Sequence, residues 1–135
     1  MNEVNFNFDN MSLNNFHIGQ TIDKYDPDEV VTDKTAGYSI KLKNKMVVHI
    51  SIYLANFSYG FSKYQGSFNK GSDFIKFSET SSFEEIKNVF GQPYEEWDDG
   101  VERNMQFIVD KYLIEFSWNI EESQPKLMYF SVELN

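Results

Sequence analysis

The chain has 135 residues, 41% hydrophobic, 24% charged and an unusual 17% aromatic, which fits one ordinary globular domain over residues 1–135. Its 21 acids face 12 bases for a formal net charge of −9, and Arg103 is the lone arginine. Nucleic-acid binders need clustered Lys and Arg to displace counterions from phosphates, so direct nucleic-acid binding is disfavoured. A field of this sign attracts basic proteins instead, and it also serves solubility.

No apolar run approaches the ~20 residues of a membrane-spanning helix. The polar start, Met1 to Asn10, alternates Val4, Phe6 and Phe8 without the basic and apolar regions of a signal peptide. Cysteine is absent, which removes disulfide and thiolate chemistry. The expectation is a soluble, cytoplasmic protein with no membrane partner.

Along the chain, a short helix signal starts at Thr21 in "GQTIDKYDP", covering about residues 21–26 before Pro27 ends it. Period-2 alternation then dominates. In "YSIKL", Tyr38, Ile40 and Leu42 share one face. "KNK" (Lys43 to Lys45) suits a hairpin turn. "MVVHISIYL" places Val48, Ile50, Ile52 and Leu54 on one side and Val47, His49, Ser51 and Tyr53 on the other. The Gly-, Ser- and aromatic-rich stretch from Asn56 to Phe77 is too apolar for a flexible linker. It predicts strands near Tyr64–Phe68 and Asp73–Phe77, joined at Asn69-Lys70-Gly71.

The best-specified element is a helix over about 82–90. Ser82 and Glu85 form a capping box, Phe83, Ile86 and Phe90 recur at helical spacing with Val89 beside them, Gly91 supplies a left-handed cap and Pro93 blocks continuation. Two strands follow, turning at Asp110-Lys111. Met105, Phe107 and Val109 align on the first; Tyr112, Ile114, Phe116 and Trp118 align on the second. After a polar loop with Pro125 comes "KLMYFSVEL", with Met128, Phe130, Val132 and Leu134 in phase. These read as antiparallel strands with one wet side, so the fold class is α+β: meander hairpins packed with a helix. "YSIKL…VVHISIYL" and "YLIEF…LMYFSVEL" also share a pattern, which raises an internal duplication of 16–54 in 74–134.

Chemistry-bearing patterns are sparse. Asp26, Asp28, Glu29 and Asp33 fail the EF-hand order because Val30 and Val31 occupy the positions that need a ligand and a glycine. His17 and His49 sit on separate strands, opposite the apolar phase, and cannot build a zinc site unaided. No Gly-x-Ser-x-Gly elbow is present. No metal, cofactor or catalytic dyad is expected, and the protein is read as a non-enzyme.

The most charged stretch is "PYEEWDDGVER". Between Tyr94 and Glu102 it gathers Glu95, Glu96, Asp98, Asp99 and Glu102 around Tyr94 and Trp97. Tyr and Trp anchor interfaces because they bury large area with few rotatable bonds, and surrounding acids supply steering. A partner-binding surface is therefore the leading interpretation of these seven residues. A solvated hairpin with Trp97 folded on the core is the plain alternative. A glycosidase-like or carbohydrate-binding use of Trp97 would need two acids held apart in a cleft, one of them desolvated.

The residues Thr80, Ser82, Glu85, Ile86, Phe90, Gly91 and Pro93, then Tyr112, Leu127, Phe130, Val132 and Leu134, make the stretch of about 74–134 resemble small bacterial immunity proteins of contact-dependent or polymorphic toxin systems. The helix-Gly-Pro-meander order is also similar to the β-lactamase-inhibitor-protein fold and the small outer-membrane-assembly lipoprotein fold. The chain departs from the latter in lacking a lipoprotein signal and cysteine. The resemblance implies a stoichiometric inhibitor of a toxin domain, often a basic nuclease, inside the producing cell. An acidic mimic that inhibits a nucleic-acid-binding enzyme is the alternative of a different class.

Overall fold

The structure, a computed structural model, describes residues 4–56 and 59–135. Residues 1–3, which open the polar N-terminal stretch, and residues 57–58, inside the aromatic-rich segment, lie outside the described residues. In chain order the elements are β1 (Asn5–Asn7), β2 (Ser12–Leu13), β3 (Phe16–His17), β4 (Val30–Asp33), β5 (Tyr38–Lys43), β6 (Met46–Tyr53), β7 (Ser67–Lys70), β8 (Asp73–Ile75), α1 (Phe83–Phe90), β9 (Glu95–Asp98), β10 (Glu102–Val109), β11 (Tyr112–Asn119) and β12 (Lys126–Leu134).

The large sheet has the order β4-β5-β6-β12-β11-β10-β9, antiparallel throughout, and a small sheet has the order β3-β2-β1-β7-β8 with β1 and β7 parallel. The fold is α+β, as the alternation and capping signals predict. The small sheet was not anticipated. It forms from strands of two to four residues, too short to show a period.

Both the small sheet and α1 pack on one face of the large sheet through aromatic rings. Phe6, Phe8 and Phe68 meet Phe130 at 5.4, 5.5 and 5.7 Å between centroids. Phe90 of α1 meets Phe107 and Phe116 at 5.5 Å each, and Phe83 stands edge-on to Trp118 at 4.9 Å. Ile86 is fully buried beneath the helix. Such pairs contribute about 0.5–1.5 kcal/mol each beyond the area they bury, so the high Phe content is spent on one dry layer.

Both halves of the predicted capping box form: the Glu85 N–H donates to Ser82 Oγ (3.1 Å) and the Ser82 N–H donates to Glu85 Oε1 (3.3 Å). Trp118 Nε1 donates to the Ser81 carbonyl at 2.9 Å, which ties the helix entrance to β11. Gly91 has φ +85° but ψ −149°, so it turns the chain outward into extended backbone in place of the expected left-handed cap.

Four expectations are corrected. Residues 21–26 form no helix: Thr21 makes an isolated bridge to Met46, the Ile22 N–H donates to Lys45 O, and the Pro27 and Glu29 carbonyls accept from Lys45 and Leu42. The β5–β6 hairpin thus takes backbone groups that a helix would need, and one turn is too short to compete. The strand expected at 64–68 begins only at Ser67, because the Tyr64 hydroxyl reaches back to Val4 O (3.0 Å) and Ser67 O (2.8 Å) across a bend. Opposite the Lys41–Leu42 step of β5, β6 carries Val48 as an extra residue, so Val47, not Val48, enters the core. Opposite the Ser117–Trp118 step of β11, β12 likewise carries Met128 as an extra residue, so Leu127, not Met128, is buried, and Leu134 is 43% exposed. Each slip is a β-bulge, which inserts a residue and reverses the phase upstream.

β6 and β12 pair about Ser51 opposite Ser131, with Ile50 opposite Val132 and Ile52 opposite Phe130. The registers about that serine pair make β5–β6 equivalent to β11–β12 and match one bulge to the other. The equivalence pairs Tyr38 with Ile114, two residues from the Tyr38–Tyr112 alignment that the sequence pattern suggests.

Candidate functional site: the open face of the large sheet

Tyr94 and the residues of β9 lie along one edge of the large sheet. Tyr94 is 66% exposed and Trp97 44%, and Glu95, Glu96, Asp98 and Asp99 are all exposed. The five carboxylates do not form one patch. Side chains alternate along a strand, so β9 divides them between two faces. Glu96 lies on the helix-bearing side, 3.7 Å from the Arg103 guanidinium, which rests 4.0 Å from the centre of the Phe83 ring. Glu95 and Trp97 lie on the opposite side, Trp97 across from Asn104 and Glu95 across from Gln106.

Asp98 and Asp99 shape the turn. Asp98 Oδ1 accepts from the Gly100 N–H at 2.8 Å; Asp99 Oδ1 accepts from the Val101 and Glu102 N–H groups at 2.9 and 2.8 Å. Those backbone donors hold the Asp99 carboxyl below the usual carboxylate range. Glu102 is half-buried, and its Oε1 accepts from Ser117 Oγ. Four of the seven predicted partner-binding residues (Glu96, Asp98, Asp99 and Glu102) therefore have local structural work, and the other three (Tyr94, Glu95 and Trp97) are exposed surface.

The face of the large sheet turned away from α1 carries what the sequence reading did not assemble. Cross-strand registers build an unbroken polar row over all seven strands: Thr32, Ser39, Ser51, Ser131, Glu115, Gln106, Glu95. A second row beside it runs Tyr53, Tyr129, Ser117, Asn104, Trp97. Individual outward residues such as His49, Ser51 and Tyr53 were legible from alternation; their neighbours were not, because strand order is a long-range property.

At the centre is a hollow of about 300 Å³ lined by His49, Ser51, Tyr53, Tyr59, Glu115, Tyr129 and Ser131. Ser51 and Ser131 form its floor at 7% exposure each. Burial, then the nearby Glu115 carboxylate, pushes the Tyr129 hydroxyl up to about 12, and the Tyr59 hydroxyl is raised by burial and Glu102. Burial pushes the His49 imidazole down, more strongly than Glu133 and Glu115 push it up. His49 is therefore neutral at pH 7. Asn104, 1% exposed on the same face, keeps its Oδ1 without a hydrogen-bond partner.

His49 Nδ1 lies 3.3 Å from Ser51 Oγ, and Glu133 faces His49 across the ladder. This Ser–His–acid grouping lacks the donors that acyl transfer requires, since N–H groups in the interior of a sheet point along it toward neighbouring strands and not out of its face. Among the described residues no cluster of three or more His, Asp or Glu side chains is placed to hold a metal ion. No helix among them is long and apolar enough to cross a membrane. Comparison with protein-family models, curated proteins and solved structures returns no match for this chain.

Proposed function

We propose that the protein is an immunity-type inhibitor that binds a cognate, basic toxin domain, a nuclease by preference, and neutralises it one-to-one without turnover in the cytoplasm of the producing cell. The observation that carries this reading is the uncovered face of the large sheet. Small hydroxyls floor it, Tyr53, Tyr59, Tyr129 and Trp97 stand on it, and Glu95, Glu102, Glu115 and Glu133 supply negative charge. Rigid aromatics give contact area at low entropic cost, and carboxylates give sign and steering. The net charge of −9 acts in the same direction.

The test is co-expression with the product of the adjacent open reading frame, followed by measured binding and protection. A one-to-one complex that abolishes toxicity is the expected result. In it, Glu95→Lys with Glu133→Lys, both exposed acids of the open face, slows association and flattens its salt dependence, while Trp97→Ala raises the off-rate at a cost of about 2 kcal/mol or more. Failure to protect against any co-encoded toxin refutes the role. Comparable binding to many unrelated DNA-binding proteins supports the acidic-mimic reading instead, and saturable binding of a sugar supports a carbohydrate module.

A further inference from the structure

The three tyrosines over the central hollow form a mutually inclined set. Tyr53 and Tyr59 have ring centroids 6.1 Å apart at 58°, Tyr53 and Tyr129 are 6.1 Å apart at 45°, and Tyr59 and Tyr129 are 5.8 Å apart at 77°. None of the three rings is parallel to another, and all three line the hollow. Phe61 lies flat behind Tyr53 (4.0 Å, 11°) and fixes that wall from the rear.

Tyr59 is the exposed member, at 67%, and its backbone adopts φ +54° ahead of Gly60 at φ +84°. A left-handed conformation at a bulky non-glycine residue is disfavoured, so the loop bears a cost to hold this ring above the sheet while leaving it wet. Hydrophobic burial does not repay that cost, because the ring remains two-thirds exposed.

Aromatic faces carry negative potential, and several faces turned toward one point attract a cation. Glu115 lines the same hollow and adds a formal negative charge, while the histidine beside it is neutral. Lys41, the nearest cation on the β5 side, pairs opposite His49 outside the hollow's lining. We propose that this hollow is an aromatic cage that receives one basic side-chain head, a guanidinium or ammonium, presented by the protein partner, with Tyr53, Tyr59 and Tyr129 as walls and Glu115 as counter-ion. This deepens the proposed function and rests on it for the source of the cation: it names the chemistry of the residue that the toxin domain inserts.

The experiment titrates the free protein with ethylguanidinium and with tetramethylammonium, and reads the tyrosine ring protons by NMR. tert-Butanol serves as a neutral probe of similar size. Saturable shifts in the millimolar range, confined to Tyr53, Tyr59 and Tyr129 and absent with tert-butanol, are expected. Tyr59→Ala, at an exposed position, should abolish them, and Glu115→Gln should weaken binding at least fivefold. Shifts that are linear, equal for the neutral probe, or unchanged in Tyr59→Ala overturn the cage. In the toxin complex, a basic side chain seated in the hollow supports the inference. A neutralising complex that leaves the hollow empty overturns it and leaves the immunity role standing. Saturable cation binding with no toxin neutralised overturns the role and leaves a small-cation site.

Discussion

Replacing Ile86 with alanine tests how the dry face is covered. Ile86 is the fully buried residue of α1, while Phe83, Val89 and Phe90 are only partly covered. The substitution removes three carbons; at about 0.8 kcal/mol for each buried methylene equivalent, the transfer loss is about 2.4 kcal/mol. The hole cannot collapse freely, because aromatic rings of the helix and sheet already bear on one another around it. A residual cavity raises the expected total to about 3–4 kcal/mol, within the range for large-to-small changes in cores. An eight-residue helix has little stability of its own, so the loss should appear as a lower urea midpoint of the whole domain, with an unchanged slope. Fluorescence of the buried Trp118 and far-UV circular dichroism should report one coincident transition. Lys87→Ala serves as the control, since its pairing with Glu84 is 3.9 Å long and exposed; it should change stability by less than about 0.5 kcal/mol. A loss below about 1 kcal/mol for Ile86→Ala would refute the helix as the cover of this face.

Two further outcomes are expected. Gly37→Ala should destabilise by more than about 2 kcal/mol, because Gly37 has φ +85° and a Cβ there would lie 2.5 Å from Ser62 O and 2.6 Å from Tyr64 N; Gly19→Ala, at φ +91° in open space, should cost only about 1 kcal/mol, and equal effects in urea melts would contradict the packing of 59–64 on β5–β6. Stability should also fall on both limbs of a pH series. His49 faces Lys41, Glu133, Glu115 and Ser51, and its pKa is lowered on folding, so the unfolded chain takes up the proton first and stability is lost as pH falls below about 6.5. The Tyr129 pKa is raised to about 12, so the unfolded chain releases that proton first and stability is lost as pH rises above about 10. His49→Gln should flatten the acid limb and Tyr129→Phe the alkaline one; limbs unchanged in these variants would refute both assignments.

What the sequence disclosed follows from how local each signal is. The capping box at Ser82 and Glu85, the turns at Asn44-Lys45 and Asp110-Lys111, and the alternation of β10 and β11 are set by near neighbours, and all of them form. The bulges at Val48 and Met128 were hidden because strict period 2 fits those strands equally well on paper; only pairing with Leu42 and Trp118 forces Val47 and Leu127 inward. The same limit hid the hollow. Tyr53 and Tyr59 lie more than fifty residues from Glu115 and Tyr129 along the chain, and the four meet only through the β6–β12–β11 order. Composition did point to aromatic contact and acidic charge, but it placed them on the one segment where they are adjacent in sequence.

That segment has a second physical demand on it, which decides how its acids should be interpreted. β9 is an edge strand, and pairing from the Asp99–Glu102 turn leaves the backbone groups of Glu96 and Asp98 facing outward. An open edge invites another strand, and a run of carboxylates repels one. Glu96 and Asp98 are thus explained without any partner. Glu95 and Trp97 are not, because the strand alternation turns them onto the open sheet face. Between Trp97 on β9 and Tyr53 on β6 lie four interstrand spacings, or about 19 Å at about 4.8 Å each. A standard interface covers roughly 800 Å² on each partner, a patch nearly 30 Å across. One partner domain can therefore cover Trp97 and the tyrosine cage at once, with both as anchors inside the contact and the outward carboxylates Glu96 and Asp98 at its rim.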